Sequence, residues 1–308
     1  MRKNINSERI EGRLYQHDLS LKTVQNQQSQ NYGKEFINGT IDVATDEEGC
    51  NVVSVHFTYV TATTKDGKPN QTYNVLKSIV DGAPTWLTHG KDEALKLRVN
   101  TSLGINDFLT KNDEMVSTPI NEGGFVSVVK SLSDEKDRNT FTFDMLITNV
   151  SRKEADEKNP EELVTLRGAV FNFRNELLPV NLIVKSPEGM DYFENLGVTP
   201  NEPVYTKVWG NIVALTIKEE RSEESAFGAP KIVSVNRIVK AWVVNGTATT
   251  PYEFGEEGVM TAEELKQAIS DHQLHLAEVR KRTEEYRSQN SVPEKVTSMP
   301  INTGAFKF

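Results

Sequence analysis

Residues 164–213 contain VTLRGAVFNFRN (164–175), LLPVNLIVKS (177–186), GMDYFENLGV (189–198) and EPVYTKVWGNIV (202–213), and KIVSVNRIVKAWVV follows at 231–244. The first two and last two of these five segments alternate apolar and polar residues and are rich in β-branched and aromatic side chains, the pattern of half-buried strands. The third, with Asp191-Tyr192 at its centre, reads as a short helix. A period of two puts Val204, Thr206 and Val208 on one face of their strand and Tyr205, Lys207 and Trp209 on the other. In the last strand it groups Val233, Val235, Val239, Ala241 and Val243 on one face. Gly168 interrupts the first strand, where a missing side chain permits a bend.

Working outward, the same order occurs once before. FINGTIDVATD (36–46) and NVVSVHFTYVT (51–61) read as strands, INDFLTKN (105–112) as a short helix, and GGFVSVVKSL (123–132) and NTFTFDMLITNV (139–150) as two further strands. Gly39 matches Gly168, and Asp107-Phe108 matches Asp191-Tyr192. Val53, Val55, Phe57 and Tyr59 would share one face, and so would Phe141, Phe143, Met145 and Ile147. An insertion with Trp86, Lys96 and Arg98 separates the second strand of this copy from its helix. Between the copies, SRKEADEKNPEE (151–162) is charged and almost without apolar residues, which reads as a linker at 153–161. The expected organisation is an arm or first strand at 1–33, a barrel at 34–152 and a second at 162–250.

A strand bent at a glycine, a second strand, a short helix and two more strands resemble the five-stranded oligonucleotide-binding (OB) barrel. Two such units followed by a helix and a tail resemble the single-stranded DNA-binding proteins of replication, those of bacteriophages and of the replication protein A type, over residues 34–250. The resemblance implies a mainly β fold of two small OB-like barrels in tandem. It further implies single-stranded DNA as ligand, a role in phage DNA replication or recombination, and no cofactor.

Such binders need aromatic faces for bases to stack on and cations along the phosphate track. The second copy offers Tyr205, Lys207 and Trp209 on one strand, Arg167, Phe171 and Phe173 on another, and Lys240 with Trp242 on its last. The first offers Phe125, matched to Tyr205, with Lys130 beyond it and Lys96 and Arg98 in the insertion. Large aromatics more often fill interiors, but here they coincide with basic residues on one parity. The second barrel is the expected stronger contact.

After the second copy the period changes to that of a helix. Thr261 and Glu264 form a capping box, and Leu265, Ile269, His272, Leu276, Val279, Thr283 and Tyr286 follow at spacings of four and three, a narrow stripe over 261–288. Residues 289–308 read as a tail. Replication or recombination proteins, or a second copy of the chain, would dock on the helix and tail.

Composition narrows the function further. The formal charge of −9 argues against bulk electrostatic coating of duplex DNA. The single cysteine, Cys50, excludes an internal disulfide, and no cluster of His and Cys has metal-ligand spacing; His272, His275 and Glu278 have a spacing that can bind metal but read as a stripe residue and surface residues. Asp42, Asp46, Glu47 and Glu48 read as a solvated turn. No signal peptide, apolar span or catalytic motif is present, so a cytoplasmic protein that is not an enzyme is expected, in the host cytoplasm if phage-encoded. The reading from a different class is a structural or assembly protein of a virion, or a protein-binding regulator, that uses the same β surfaces and helix for protein contacts.

Overall fold

The computed structural model describes residues 4–155, 161–223 and 231–290, without the side chains of 215–223, 231–239 and 289–290. Its strands are β1 (Asn6–His17), β2 (Ser20–Thr23), β3 (Glu35–Ala44), β4 (Val52–Thr61), β5 (Lys96–Leu109), β6 (Met115–Val128), β7 (Asn139–Lys153), β8 (Leu163–Phe171), β9 (Leu177–Val184), β10 (Val204–Glu223) and β11 (Lys231–Thr247). Its helices are α1 (Gln71–Val80), α2 (Trp86–His89), α3 (Pro187–Asn195) and α4 (Ala262–Asn290).

Two rings of five strands close by the same rule. In the first, β1 pairs antiparallel with β3, β3 with β4 and β5 with both β1 and β6, while β4 meets β6 in parallel at Val55 and Asn121. In the second, β7, β8 and β9 are antiparallel neighbours, β9 meets β11 in parallel at Ile183 and Val243, and β10 pairs with β11 and β7. Each ring has its helix between the third and fourth strands, which makes both OB-like barrels. Antiparallel pairing of β1 with β7, from Asn6 opposite Phe143 to Ile10 opposite Asn139, joins them into one 11-stranded sheet. The fold is therefore mainly β, with two OB-like barrels and a C-terminal helix.

The pattern of buried residues explains these elements. Val53, Val55 and Phe57 of β4, Leu97 and Val99 of β5, and Val164, Leu166 and Val170 of β8 supply inward rows to one continuous core. Helix α1 starts at Asn70, whose side chain accepts the Thr72 N–H, and buries Tyr73, Leu76 and Ile79 against the first barrel. Ser186 and Pro187 start α3, which buries Met190 and Phe193 against the second.

Of the two readings of residues 1–33, Asn6–His17 form a first strand, β1, of the first barrel. Three expectations differ. β7, expected to close the first barrel, opens the second, and residues 154–162 connect β7 to β8 within it rather than linking two domains; residues 156–160 lie outside the description. Residues 105–109 of INDFLTKN are the end of strand β5, because they form an antiparallel ladder with β6, and 110–112 lie in the turn that follows. The helices that match α3 are α1 and α2, inside the apparent insertion, and Lys96 and Arg98 sit on β5.

Helix α4 has the expected capping box: Thr261 Oγ1 accepts the Glu264 N–H at 3.2 Å and Glu264 Oε2 accepts the Thr261 N–H at 2.9 Å. It lies across both barrels. Leu265 and Ala268 cover Leu146 and Phe171 of the second, His275 Nε2 is 3.2 Å from Asp107 of β5, and Arg287 donates to Asp113 and to the Thr110 carbonyl. Tyr286 and Ile269 of the predicted stripe are exposed, and Arg287 takes the place of Tyr286 at the body. Residues 291–308, most of the expected tail, lie outside the description.

Candidate nucleic-acid interface

On β10 the alternation is as expected: Val208 is in the core, and Tyr205, Lys207 and Trp209 point the other way. Tyr205 is nevertheless buried, because the chain after β11 returns over it with Tyr252, Phe254 and Met260. The Tyr205 and Tyr252 ring centroids are 5.3 Å apart, and the Tyr205 hydroxyl donates to Asn4 Oδ1 at 2.9 Å. Phe171 is buried in the same cluster under α4. On β11 the parity is the reverse of that expected. Trp242 and Val244 face the core, and the Trp242 indole N–H donates to Glu8 Oε1 at 2.8 Å; the side chains of Val233, Val235 and Val239 lie outside the description. Phe171, Tyr205 and Trp242 are thus unavailable for stacking, two because α4 and its lead-in segment cover the outer face and one because it fills the interior.

The remaining residues of the second barrel are dispersed. Arg167 is exposed, but Ile269 of α4 stands over the same cleft, which Pro179 and Asn181 of β9 also line. Phe173, 88% exposed at the β8–β9 turn, has the Arg174 guanidinium 5.1 Å from its ring centre. Trp209, 41% exposed, lies against Gly246, where a Cβ would be 2.6 Å from the indole. Lys207 is half-buried beside Asp144, and Lys240 is held 4.8 Å from the Trp242 ring centre.

The first barrel keeps the matching face open. Between Ile37 opposite Val60 and Gly39 opposite Phe57, two residues of β4, Thr58 and Tyr59, oppose the single Asn38. This bulge reverses the parity of the strand. Tyr59, expected inside with Phe57, is turned out and is 44% exposed, with its ring centroid 4.7 Å from that of Phe36. It lines a cleft of about 670 Å³. Asn31 and Lys34 of the β2–β3 turn, Thr63 and Lys65 of the β4–α1 connection, and Gly124 of β6 line the sides. Phe125, 48% exposed, follows Gly124, and exposed Tyr32 stands on the β2–β3 turn. Phe125 belongs to the fifth strand of its barrel, so its match is on β11 and not with Tyr205. Among the described side chains, the aromatic and cationic surface left open is therefore richer on the first barrel, whereas the aromatic content of the sequence pointed to the second.

Lys96 and Arg98 are on the outer face of β5, where Arg98 Nε donates to Glu11 Oε2 at 2.7 Å. Lys130 is exposed just past Val129, whose N–H bonds to the Lys96 carbonyl. The acidic segment at 42–48 is more than a solvated turn. Asp46 is buried and accepts the N–H groups of Cys50 and Asn51, and Glu47 gathers Arg13, Lys91 and Arg138. Lys91 and Arg138, with Arg13, bring the Glu47 carboxyl down to about 2.

Pattern did not reveal the contact between the barrels. Glu8 of β1 is buried there and accepts hydrogen bonds from Trp242 and from Thr101 Oγ1, each 2.8 Å. Burial raises its carboxyl to about 7 against the opposing pull of these bonds and of Lys240. Burial also pushes the Lys240 ammonium and the nearby His56 imidazole below their usual values. Among the described residues no cluster of His, Cys, Asp and Glu could hold a metal ion, and no helix is long and apolar enough to cross a membrane.

Among solved structures, a deletion mutant of the single-stranded DNA binding protein from Thermus aquaticus is similar at 11% identity and a TM-score of 0.48, over 83% of this chain and 100% of that one. No curated protein matches. The model of the YorF family matches residues 5–282, and the chain belongs to that family.

Proposed function

We propose that this protein binds single-stranded DNA with little sequence preference, through the open outer face of its first barrel. The observation that carries this reading is Tyr59, turned out by the β4 bulge onto the second-and-third-strand face, packed beside Phe36 of β3 and set in a cleft with Lys34 and Lys65. That face is where an OB barrel presents its ligand surface. Aromatic rings accept any base by stacking, and lysines neutralise phosphates without reading sequence. The role we infer is the protection or organisation of single strands in DNA replication or recombination, in a cytoplasm, that of the host cell if the protein is phage-encoded. No catalytic reaction is part of this reading.

Tyr59→Ala is expected to weaken binding of oligothymidine by about 5- to 150-fold, the equivalent of roughly 1–3 kcal/mol of stacking. Phe171→Leu, inside the α4-covered cluster, should leave affinity within about twofold, since Phe171 touches no ligand. Fluorescence anisotropy of a labelled strand at low salt measures both. Wild-type protein that leaves the strand free at micromolar concentration would exclude the function. Equal affinities for wild type and Tyr59→Ala would exclude the cleft.

A further inference from the structure

The outer face of the β1–β5 ladder concentrates positive charge in an acidic protein. Alternation along β1 puts Arg9, Glu11, Arg13 and Tyr15 on the side opposite the buried Ile10 and Leu14, and the register sets Glu11 opposite Arg98 and Arg13 opposite Lys96. Glu11 lies beneath this row, bonded by Arg9, Arg98 and the Ser133 N–H. Burial alone would raise its carboxyl, but those bonds outweigh burial and bring it down to about 2. At the end of the row Glu47 takes Arg13, Lys91 and Arg138.

Five cations (Arg9, Arg13, Lys91, Arg98 and Arg138) thus share two carboxylates (Glu11 and Glu47), and with Lys96 opposite Arg13 these eight groups carry four more positive charges than negative, in a chain of formal charge −9. Lys96 has no carboxylate partner among the described residues. Asp92, Glu93, Asp134 and Glu135 on the flanking turns are exposed, and among the described residues none pairs with a cation of this belt. Aromatic surface completes it. The half-exposed rings of Tyr15 and Trp86 are 6.0 Å apart, and Lys91 Nζ is 5.8 Å from the Trp86 ring centre.

Glu11 is fully buried beneath its guanidinium partners, while Glu47 is partly exposed but shared among three cations. Cations therefore outnumber carboxylates along this row, and such a field attracts a polyanion. Stackable rings beside the cations favour a strand with unpaired bases over a duplex or an acidic polypeptide. We propose that the β1–β5 face is a second contact track for a single strand, with phosphates at Lys91, Lys96 and Arg98 and a base on Trp86. It is separate from the β3–β4 cleft and rests on the reading that the chain binds single strands. A strand longer than the cleft can hold would engage both surfaces.

The test compares wild type with the double variant Lys91→Gln/Lys96→Gln, which leaves Glu47 bonded to Arg13 and Arg138 and leaves Glu11 untouched. Each is titrated over a range of salt with oligothymidine of about 8 nucleotides, within the site of one OB barrel, and of about 30, roughly twice the largest such site. The variant should bind the short strand as wild type does, which also shows that it folds. For the long strand it should lose on the order of tenfold in affinity, and the slope of log K against log salt should fall by about 1.4, roughly 0.7 for each lost phosphate contact.

An unchanged long-strand slope overturns the second track. So does an equal loss on the short strand, which would put the lysines in the primary site. Polyglutamate that competes better than oligothymidine of equal charge would identify the face as protein-docking, and that also overturns it. Wild type that binds only the long strand, with the variant slope lowered, would overturn the cleft and leave the track standing.

Discussion

Gly168→Ala is expected to destabilise the protein by about 3 kcal/mol or more, whereas Gly67→Ala should cost only about 1 kcal/mol. Gly168 lies in β8 at a bulge, where the register with β7 passes from Ile147 opposite Gly168 to Asn149 opposite Arg167. A Cβ there would be 1.8 Å from the Leu146 carbonyl oxygen and 3.0 Å from the Ile147 Cα. Both obstacles are backbone, so no rotamer change relieves them. The two strands would have to part beside Ile147, Leu166 and Val170, all fully buried in the core. Gly210 of β10 and Gly12 of β1 meet the carbonyls of Val243 and Ala44 in the same way, at 1.8 and 2.0 Å. Small barrels force such close crossings where a strand bends from one side of the ring to the other. Gly67 is the contrast: its φ of +74° favours glycine, but nothing lies within 4 Å of its added Cβ. Urea unfolding with comparable slopes gives both numbers. If the two variants fall within 1 kcal/mol of each other, the close approach at Gly168 is not what holds β7 and β8 in register.

Individual strands were legible because each has one face on the core, and a period of two then writes itself into the sequence. Ring membership was not. β7 pairs with β8, β10 and β1, and its alternation of Phe141, Phe143, Met145 and Ile147 is the same whichever barrel it closes. The stretch 105–112 offered Ile105, Phe108 and Leu109 at helical spacing, yet pairing with β6 overrode that local pattern. The helix of the first barrel has its own signal in Asn70 as a cap followed by Val75, Leu76, Ile79 and Val80, inside the apparent insertion.

The candidate site was legible only in part, for two physical reasons. A bulge adds one residue without altering composition, so nothing short of the register could turn Tyr59 outward. Burial of Phe171 and Tyr205 is supplied by residues 252–268, far along the chain, and the outer face of a strand looks the same in sequence whether solvent or a helix covers it. Trp242 fails for the opposite reason. Its neighbour Ala241 is also buried, so both rows of β11 are apolar there and alternation does not say which one faces in. Among the described side chains the open aromatic surface lies more on the first barrel than the sequence's aromatic content suggested, because α4 takes the face on the second that stays open on the first.

Glu8→Gln is expected to stabilise the protein by on the order of 3 kcal/mol at pH 8 relative to its effect at pH 4. Folding raises the Glu8 carboxyl from 4.5 to about 7. Between those values the folded protein holds a proton that the unfolded chain has released, so stability falls as pH rises through this window and is fully retained below it. A difference of roughly 2.5 pH units corresponds to about 3 kcal/mol. Glutamine keeps an oxygen for the Trp242 N–H and an amide for Thr101, so the substitution removes the titration and little of the hydrogen bonding. Lys240 and His56 also face this junction. Both are pushed down by burial, so each gives stability that rises with pH toward its usual value, and that of His56 falls within this range of pH. The difference between variant and wild type, measured by urea unfolding from pH 4 to pH 8, removes the His56 contribution common to both. It should be flat below about pH 4.5 and grow toward pH 7. A difference that stays constant across the range would mean that Glu8 is ionised throughout, and that Lys240 neutralises it as a buried pair.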